Sequence, residues 1–242
     1  MNCICCVCFK PNDTWLTFLS TFKMYDIYII VDDNSKDYKE LYSNFKNINI
    51  IQINNEDCKI NGFRNMNFLI FKKEITGWDK AIYYFSIMNT KYKNVWVFED
   101  DVFFYSEQTL LNIDTQFGKS DLLSNSYGEN IKGTNTDWLW HAIDIKIPPP
   151  YYCAMVCCIR LSHELLNKIK EYAKEYKTLF FLEALFSTLC KQHNLLYHTP
   201  KQFHTICWRK DYAVNEINIS DLFHPIKDMN HHIHYRSILN NS

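Results

Sequence analysis

The sequence predicts an α/β protein: one domain built on a mixed, mostly parallel sheet flanked by helices. Three observations predict it. Over the first 105 or so residues, short β-branched and aromatic runs alternate with helical patterns, the rhythm of a parallel sheet with crossover helices. Two of those runs stop abruptly in acids, at Asp32-Asp33 and at Glu99-Asp100-Asp101, and in open parallel sheets ligands bind beyond the strand C-termini. The second half changes character without any linker, repeat or low-complexity stretch between the two, so the halves, about 1–105 and about 106–242, belong to one domain.

The elements follow in order. Residues 3–9 read as a first strand, broken by Pro11, after which Asp13 caps a helix over about 14–23. Tyr25 to Val31 is a second strand and Ile48 to Ile53 a third, with a helix near 36–45 between them. Ala81, Phe85 and Met88 fall on one face of a helix over 78–91. Val95-Trp96-Val97-Phe98 is the clearest strand and runs straight into the three acids. Residues 118–150 read as loop, with Gly118, Gly128, Gly133 and a Pro148-Pro149-Pro150 stop. A strand follows over 151–160. Ser162 then caps a helix over about 163–177, and a second helix covers 180–193. From His198 the chain reads as an irregular, His-rich tail, with His231, His232 and His234 solvated in it.

Composition narrows the function. Hydrophobic residues make up 47% and charged residues 22% of the 242, enough for an ordinary core. A net charge of -1, with no basic half, gives no pull toward nucleic acid or an anionic membrane. The apolar runs are too short and interrupted for a transmembrane span. Met1 to Phe9 is apolar but lacks a basic segment and is too short for a signal peptide, so the expected location is a reducing cytoplasm. The ten Cys suit that setting as small buried hydrophobes. The alternative is a zinc site joining Cys5 and Cys8 to Cys153, Cys157 and Cys158, but a strand turns alternate thiols to opposite faces.

Glu99-Asp100-Asp101 carries the chemistry. Three adjacent acids at the end of an apolar strand repel one another, and burying them costs several kcal/mol without a positive partner. A divalent cation is the natural one. Glu99 and Asp101, two apart on extended backbone, point to one side, and an all-oxygen set suits Mg²⁺ or Mn²⁺. The bland alternative is a solvated acidic turn. Trp138, Trp140 and His141, with Tyr151 and Tyr152, offer aromatic faces for a sugar ring, or for ordinary packing.

Here the sequence resembles the GT-A glycosyltransferases, whose DXD-type motif follows an apolar strand and holds a metal bound to a nucleotide-sugar diphosphate. Glu99-Asp100-Asp101 is similar to an acidic variant of that motif. The resemblance implies Asp101 as the direct metal ligand, and Glu99 and Asp100 on the donor side, with Glu99 close enough to share the metal. Ile29 to Ser35 resembles the family's second strand, so Asp32 and Asp33 would contact base or ribose. Gly62-Phe63-Arg64-Asn65 and Gly77-Trp78-Asp79-Lys80-Ala81 lie where such enzymes place donor contacts. That makes Arg64 and Lys80 candidates for the diphosphate and Asp79 for a ribose or sugar hydroxyl. In Phe223-His224-Pro225-Ile226-Lys227, the late His224 would complete the metal shell and Lys227 would meet the phosphates. Glu183, the one acid in Leu179 to Phe186, resembles the inverting base, which must take a proton from the acceptor hydroxyl. As a plain structural residue it would complement the N-terminal dipole of its helix. Trp138, Trp140 and His141 would then receive the acceptor. Size and composition also resemble the compact glycosyltransferases of large DNA viruses, which would place the protein in a host cytoplasm.

The implied reaction moves a sugar from a UDP- or GDP-sugar to a glycan or glycoconjugate hydroxyl, with Mn²⁺ or Mg²⁺ as cofactor. A sugar-nucleotide nucleotidyltransferase is the second reading. It calls for a Gly-rich basic loop after the first strand, where this chain has Lys10-Pro11-Asn12-Asp13 and only 5 Gly in all. A non-catalytic nucleotide- or glycan-binding protein on the same fold is the third.

Overall fold

The computed structural model describes residues 1–240. Seven strands form one sheet in the order β3-β2-β1-β4-β6-β5-β7. β1 (Asn2–Cys8), β2 (Asp26–Val31), β3 (Ile48–Gln52) and β4 (Asn94–Glu99) run parallel. β6 (Tyr151–Ser162) pairs antiparallel with β4 and with β5 (Leu122–Asn130), and the two-residue β7 (Tyr197–His198) runs parallel to β5. β1, β2 and β4 are buried on both faces, which is why they read as nearly unbroken apolar runs, whereas the edge strand β3 exposes Asn49.

Helices cover both faces. α1 (Asp13–Ser20), α2 (Tyr38–Leu41), α3 (Asn55–Ile60), α4 (Phe68–Phe71) and α5 (Gly77–Tyr83) come from the first half. α6 (Glu107–Gln116), α7 (His163–Tyr176), α8 (Leu182–Gln192) and α9 (Met229–Asn240) come from the second. The helix entered after Pro11 is capped by Asn12, whose side chain accepts from the Trp15 amide, rather than by Asp13. α5 passes into a π-turn over Tyr84–Met88. One core packs Trp78, Ile82, Leu166 and Leu185 on one side of the sheet; the other packs Trp15, Leu19, Leu110 and Ile113 on the opposite side. β1 shows the alternation directly. Cys3 and Cys5 face the first core and Cys6 and Cys8 the second, so the Cys5 and Cys8 thiols do not converge.

Two stretches differ from the sequence reading. The loop expected over 118–150 contains β5. Its residues Leu122 to Asn130 carry polar side chains on the solvent face and two register shifts against β6, so neither a continuous apolar run nor a clean alternation marks it. The tail expected to be irregular ends in α9, and His232 is wholly buried there rather than solvated. Its ring lies between Trp15 and Phe103, and its Nε2 donates to the Ile226 carbonyl at 2.7 Å.

Burial drives the His232 imidazole down to about 4. The unfolded chain therefore binds a proton there between roughly pH 6.5 and 4 that the folded chain refuses. Stability is expected to fall as pH drops through that window, by at most about 3 kcal/mol at its lower end. Urea titrations from pH 7 to 4 measure it. His232→Phe should flatten the slope; an unchanged slope would show that other groups set the acid limit.

Candidate active site

The site lies at the C-terminal end of the parallel strands. β4 delivers Glu99, and the chain turns at once through Asp100 and Asp101. The turn is fixed on two sides. Trp15 on α1 donates its indole N–H to the Asp100 carbonyl at 2.5 Å. The Ile226 amide donates to the Asp101 carbonyl at 2.7 Å, and Phe103 and Phe223 exchange backbone hydrogen bonds at 2.8 Å. That stitching brings a segment more than 120 positions away in sequence against the acidic turn, and with it His224.

His224 Nε2 lies 3.3 Å from Asp101 Oδ1, an oxygen that is buried and accepts no well-formed hydrogen bond. The other ring nitrogen, Nδ1, sits 2.6 Å from the Cys207 carbonyl. An acceptor there requires Nδ1 to carry a proton, so in the neutral ring Nε2 is the nitrogen that offers its lone pair to a cation, the usual outer-shell arrangement of a ligating His. Burial opposes protonation of this ring, but Asp101 and the Cys207 carbonyl favour it and prevail, drawing His224 above its ordinary range. Glu99, Cys157 on β6 and His224 offer ligand atoms all within 4.8 Å of one another.

The carboxylates are electrostatically uncomfortable. Burial first, and then the Asp101 charge, push Glu99 up to about 7, although Trp78 Nε1 donates to Glu99 Oε1 at 2.7 Å. The same two causes raise Asp100 to about 6. A site that lifts two carboxyls, and in which the buried Asp101 Oδ1 has only the His224 ring beside it, fits a bound divalent cation.

Beside the acids opens a cleft of about 350 Å³, within the usual range for small-molecule sites. Val7, Asp32, Phe71, Lys73, Gly77 and Trp78 line it, together with Glu99, Asp100 and Asp101. Gly77 matters for its closeness: a Cβ there would meet Val7 Cγ1 at 2.7 Å, so the start of α5 can lie directly on β1 only without a side chain.

The other residues singled out in sequence divide into those at the cleft and those behind it. Asp32 reaches the cleft, held by Lys80, whose wholly buried Nζ lies 3.1 Å from the Asp32 carboxylate and 2.6 Å from its carbonyl. Breaking such a buried pair costs on the order of 3–5 kcal/mol, so Lys80 positions Asp32 and is not a free arm for a diphosphate. Asp33 turns into its own loop, accepting from Ser35 and Tyr38, whose hydrogen bonds lower it to about 2. Asp79, expected at a ribose or sugar, is fully buried and caps α5. It accepts from the Thr76 amide and hydroxyl and from the Met66 amide. Arg64, expected at the diphosphate, pairs with Glu74 at 2.5 Å and donates to the Lys177 carbonyl. Lys227 is exposed, one residue past Ile226.

Asp79 and Arg64 still bear on the site. The Arg64 and Met66 carbonyls accept from the Leu179 and Leu182 amides at 3.0 and 2.9 Å. The segment that Asp79 pins therefore anchors the start of α8, where Glu183 stands. Glu183 is buried, and Tyr127 donates to its Oε2 at 2.5 Å. Burial raises its pKa; the Tyr127 hydrogen bond and His224 pull it back only in part. Trp138 packs against Tyr127, Trp140 and Phe181 with ring centroids 4.7–5.9 Å apart. Its φ of 56° is an unusual state for so bulky a residue. Trp140 is buried beneath it, and His141 is exposed.

Tyr127 and Lys73 were not foreseen; Trp78 was named only within the Gly77 to Ala81 stretch, and Cys157 only in the alternative zinc site. Pairing is what brings Cys157 to the acids. The antiparallel register of β4 and β6, Phe98 opposite Cys158, continued by one residue sets Cys157 opposite Glu99, and no local pattern in an apolar strand announces that.

No protein-family model and no curated protein sequence matches the chain. Among solved structures it is similar to an active-site mutant of LgtC, with a TM-score of 0.50 and 12% identity over 99% of this chain and 96% of that one. It also aligns with the galactosyltransferase LgtC in complex with donor and acceptor sugar analogs, at a TM-score of 0.49 and 12% identity over 99% and 96%. A third is 4-diphosphocytidyl-2C-methyl-D-erythritol synthase from Anaerococcus prevotii, at 0.46 and 11% over 99% and 96%. At such identities likeness establishes architecture, and the architecture is the GT-A fold expected from the sequence.

Proposed function

We propose that this chain is a metal-dependent glycosyltransferase moving a sugar from a nucleotide-diphosphate donor, a UDP- or GDP-sugar, to a hydroxyl of a glycan or glycoconjugate, with inversion. One observation carries the reading. Asp101 Oδ1, buried and without a well-formed hydrogen bond, lies 3.3 Å from His224 Nε2, just past the end of a parallel strand and in the lining of a cleft.

Asp101, His224 and Glu99 would hold Mn²⁺ or Mg²⁺, which when bound supplies charge neutralisation to a departing diphosphate. The nucleotide sugar would occupy the cleft of the first half, with Asp32, set by Lys80, and Asp100 on its polar groups. Lys73 on the cleft wall and Lys227 beside the acidic turn would meet phosphate oxygens. The acceptor would approach from the second half, its ring against Trp138, with Trp140 and His141 bordering it. Glu183 would take the proton of the acceptor hydroxyl as that oxygen attacks the anomeric carbon. Tyr127 orients Glu183; Arg64 and Asp79 act by fixing the start of α8. Among the described residues, no helix is long and apolar enough to cross a membrane.

Thermal unfolding against a panel of nucleotide sugars, with and without Mn²⁺, tests the reading. A ligand at a hundredfold excess over its Kd adds about 2.7 kcal/mol to the folded state. For a domain of this size that is a rise in Tm of roughly 5–10 °C. A rise with one nucleotide sugar, and only with metal, is expected. No rise across the panel would overturn the proposal. A rise confined to a nucleoside triphosphate would point to nucleotidyl transfer instead.

A further inference from the structure

We propose that Cys157 is a further ligand of the cation held by Glu99, Asp101 and His224, and that its thiolate turns this site toward borderline and soft divalent ions, the Zn²⁺, Co²⁺ and Cd²⁺ class. The inference rests on the metal site of the proposed function and adds a sulfur donor to it.

The geometry is already close. Glu99, Cys157 and His224 converge with every ligand atom within 4.8 Å of the others. Two nitrogen or oxygen ligands each about 2.0–2.1 Å from a tetrahedral zinc stand about 3.3 Å apart, the separation found between Asp101 Oδ1 and His224 Nε2. The three supports of the site are also rigid. Cys157 and Glu99 lie on neighbouring strands of the sheet, and His224 is fixed through Nδ1 to the Cys207 carbonyl. The thiol has little else to do: its nearest polar contact is the Met155 thioether, 3.8 Å away, itself a weak acceptor. Four donors of mixed O, N and S character suit zinc and cobalt far better than magnesium, which demands oxygen.

Coordination here is a balanced exchange with no redox change. The Cys157 S–H bond breaks, a metal–sulfur bond forms, and one proton leaves to the buffer for each ion bound.

Titration of the whole protein with Co²⁺ tests this directly, because a thiolate on cobalt adds a sulfur-to-metal charge-transfer band in the near ultraviolet. Wild-type protein is expected to develop that band to saturation at one ion per chain. Cys157→Ser should bind Co²⁺ without the band, and its Zn²⁺ affinity should fall about tenfold or more while its Mn²⁺ affinity changes by less than about twofold. Co²⁺ binding without a band in the wild type would overturn this inference and leave the metal site of the proposed function standing. A band that persists in Cys157→Ser would assign the sulfur to another cysteine and overturn it equally. Absence of any Co²⁺, Zn²⁺ or Mn²⁺ binding would bring down both. A wild-type spectrum without the band overturns the inference even if this variant fails to fold; if the band is present, Cys157→Ala supplies the second variant in which it must vanish.

Discussion

Asp101→Asn is expected to abolish the cation-dependent part of nucleotide-sugar binding while leaving the apo protein within about 1 kcal/mol of the parent. The substitution keeps the side chain's shape and removes one charge. The backbone carbonyl that accepts from Ile226 is untouched, so the stitching of the late segment to the acidic turn survives. Two electrostatic effects then oppose each other. Glu99 and Asp100 lose a like-charged neighbour that raises both, while His224 loses its carboxylate partner. Loops built for stability behave otherwise, since removing a paired buried charge ordinarily costs on the order of 3–5 kcal/mol. The measurement is the Tm with and without nucleotide sugar and Mn²⁺. The metal-dependent rise should vanish and the apo Tm should hold. A rise as large as in the parent would remove Asp101 from the metal site, and a collapse of the apo Tm would make the acidic turn a structural element.

The parallel half of the sheet was legible in the sequence because β1, β2 and β4 are buried on both faces, and such strands are continuous apolar runs, while the edge strand β3 stood out by its isoleucines. Glu99 to Asp101 and Asp32 stood out for the same reason, as charge where an apolar run stops. The polar, twice-shifted β5 was hidden, as was α9, whose weak apolar stripe is masked by three histidines, one of which is core. Among the site residues the division follows the range of the interaction. His224 was singled out through resemblance, and the fold brings it to Asp101. Asp79, Arg64 and Lys80 occupy the interval that suggested donor contacts, yet Asp79 and Lys80 point inward and Arg64 is held by Glu74 and the Lys177 carbonyl. Whether an acid at the start of a helix caps the backbone or faces a ligand depends on what packs above it, here Met66. Cys157 was read as one more small hydrophobe in a strand, which is how it looks until β6 is laid beside β4. Charge at a strand end is written locally; the partners of that charge are written in the pairing.

Glu183→Gln is expected to reduce turnover by about a hundred- to ten-thousandfold, the usual contribution of a general base, with the donor-induced rise in Tm unchanged. The side chain stands on α8 and is not among the residues lining the cleft proposed for the donor, so losing its charge should leave donor affinity in place. Tyr127 supplies the sharper test. Its hydroxyl holds Glu183 toward the ionised form against burial, which acts the other way. Tyr127→Phe removes that restraint, so the Glu183 pKa must rise and the fraction ionised at a given pH must fall. A base is active only when ionised, so the acid limb of the kcat/KM profile should move to higher pH in Tyr127→Phe, with activity recovering as pH increases. Glu183→Gln has no such limb to recover. The competing role, an acid complementing the N-terminus of α8, predicts something else: a stability loss of about 0.3–1 kcal/mol, turnover near that of the parent, and a pH profile that Tyr127→Phe leaves in place. The two variants measured together across pH therefore separate a proton acceptor from a helix cap, because only a proton acceptor couples the Tyr127 hydroxyl to the rate.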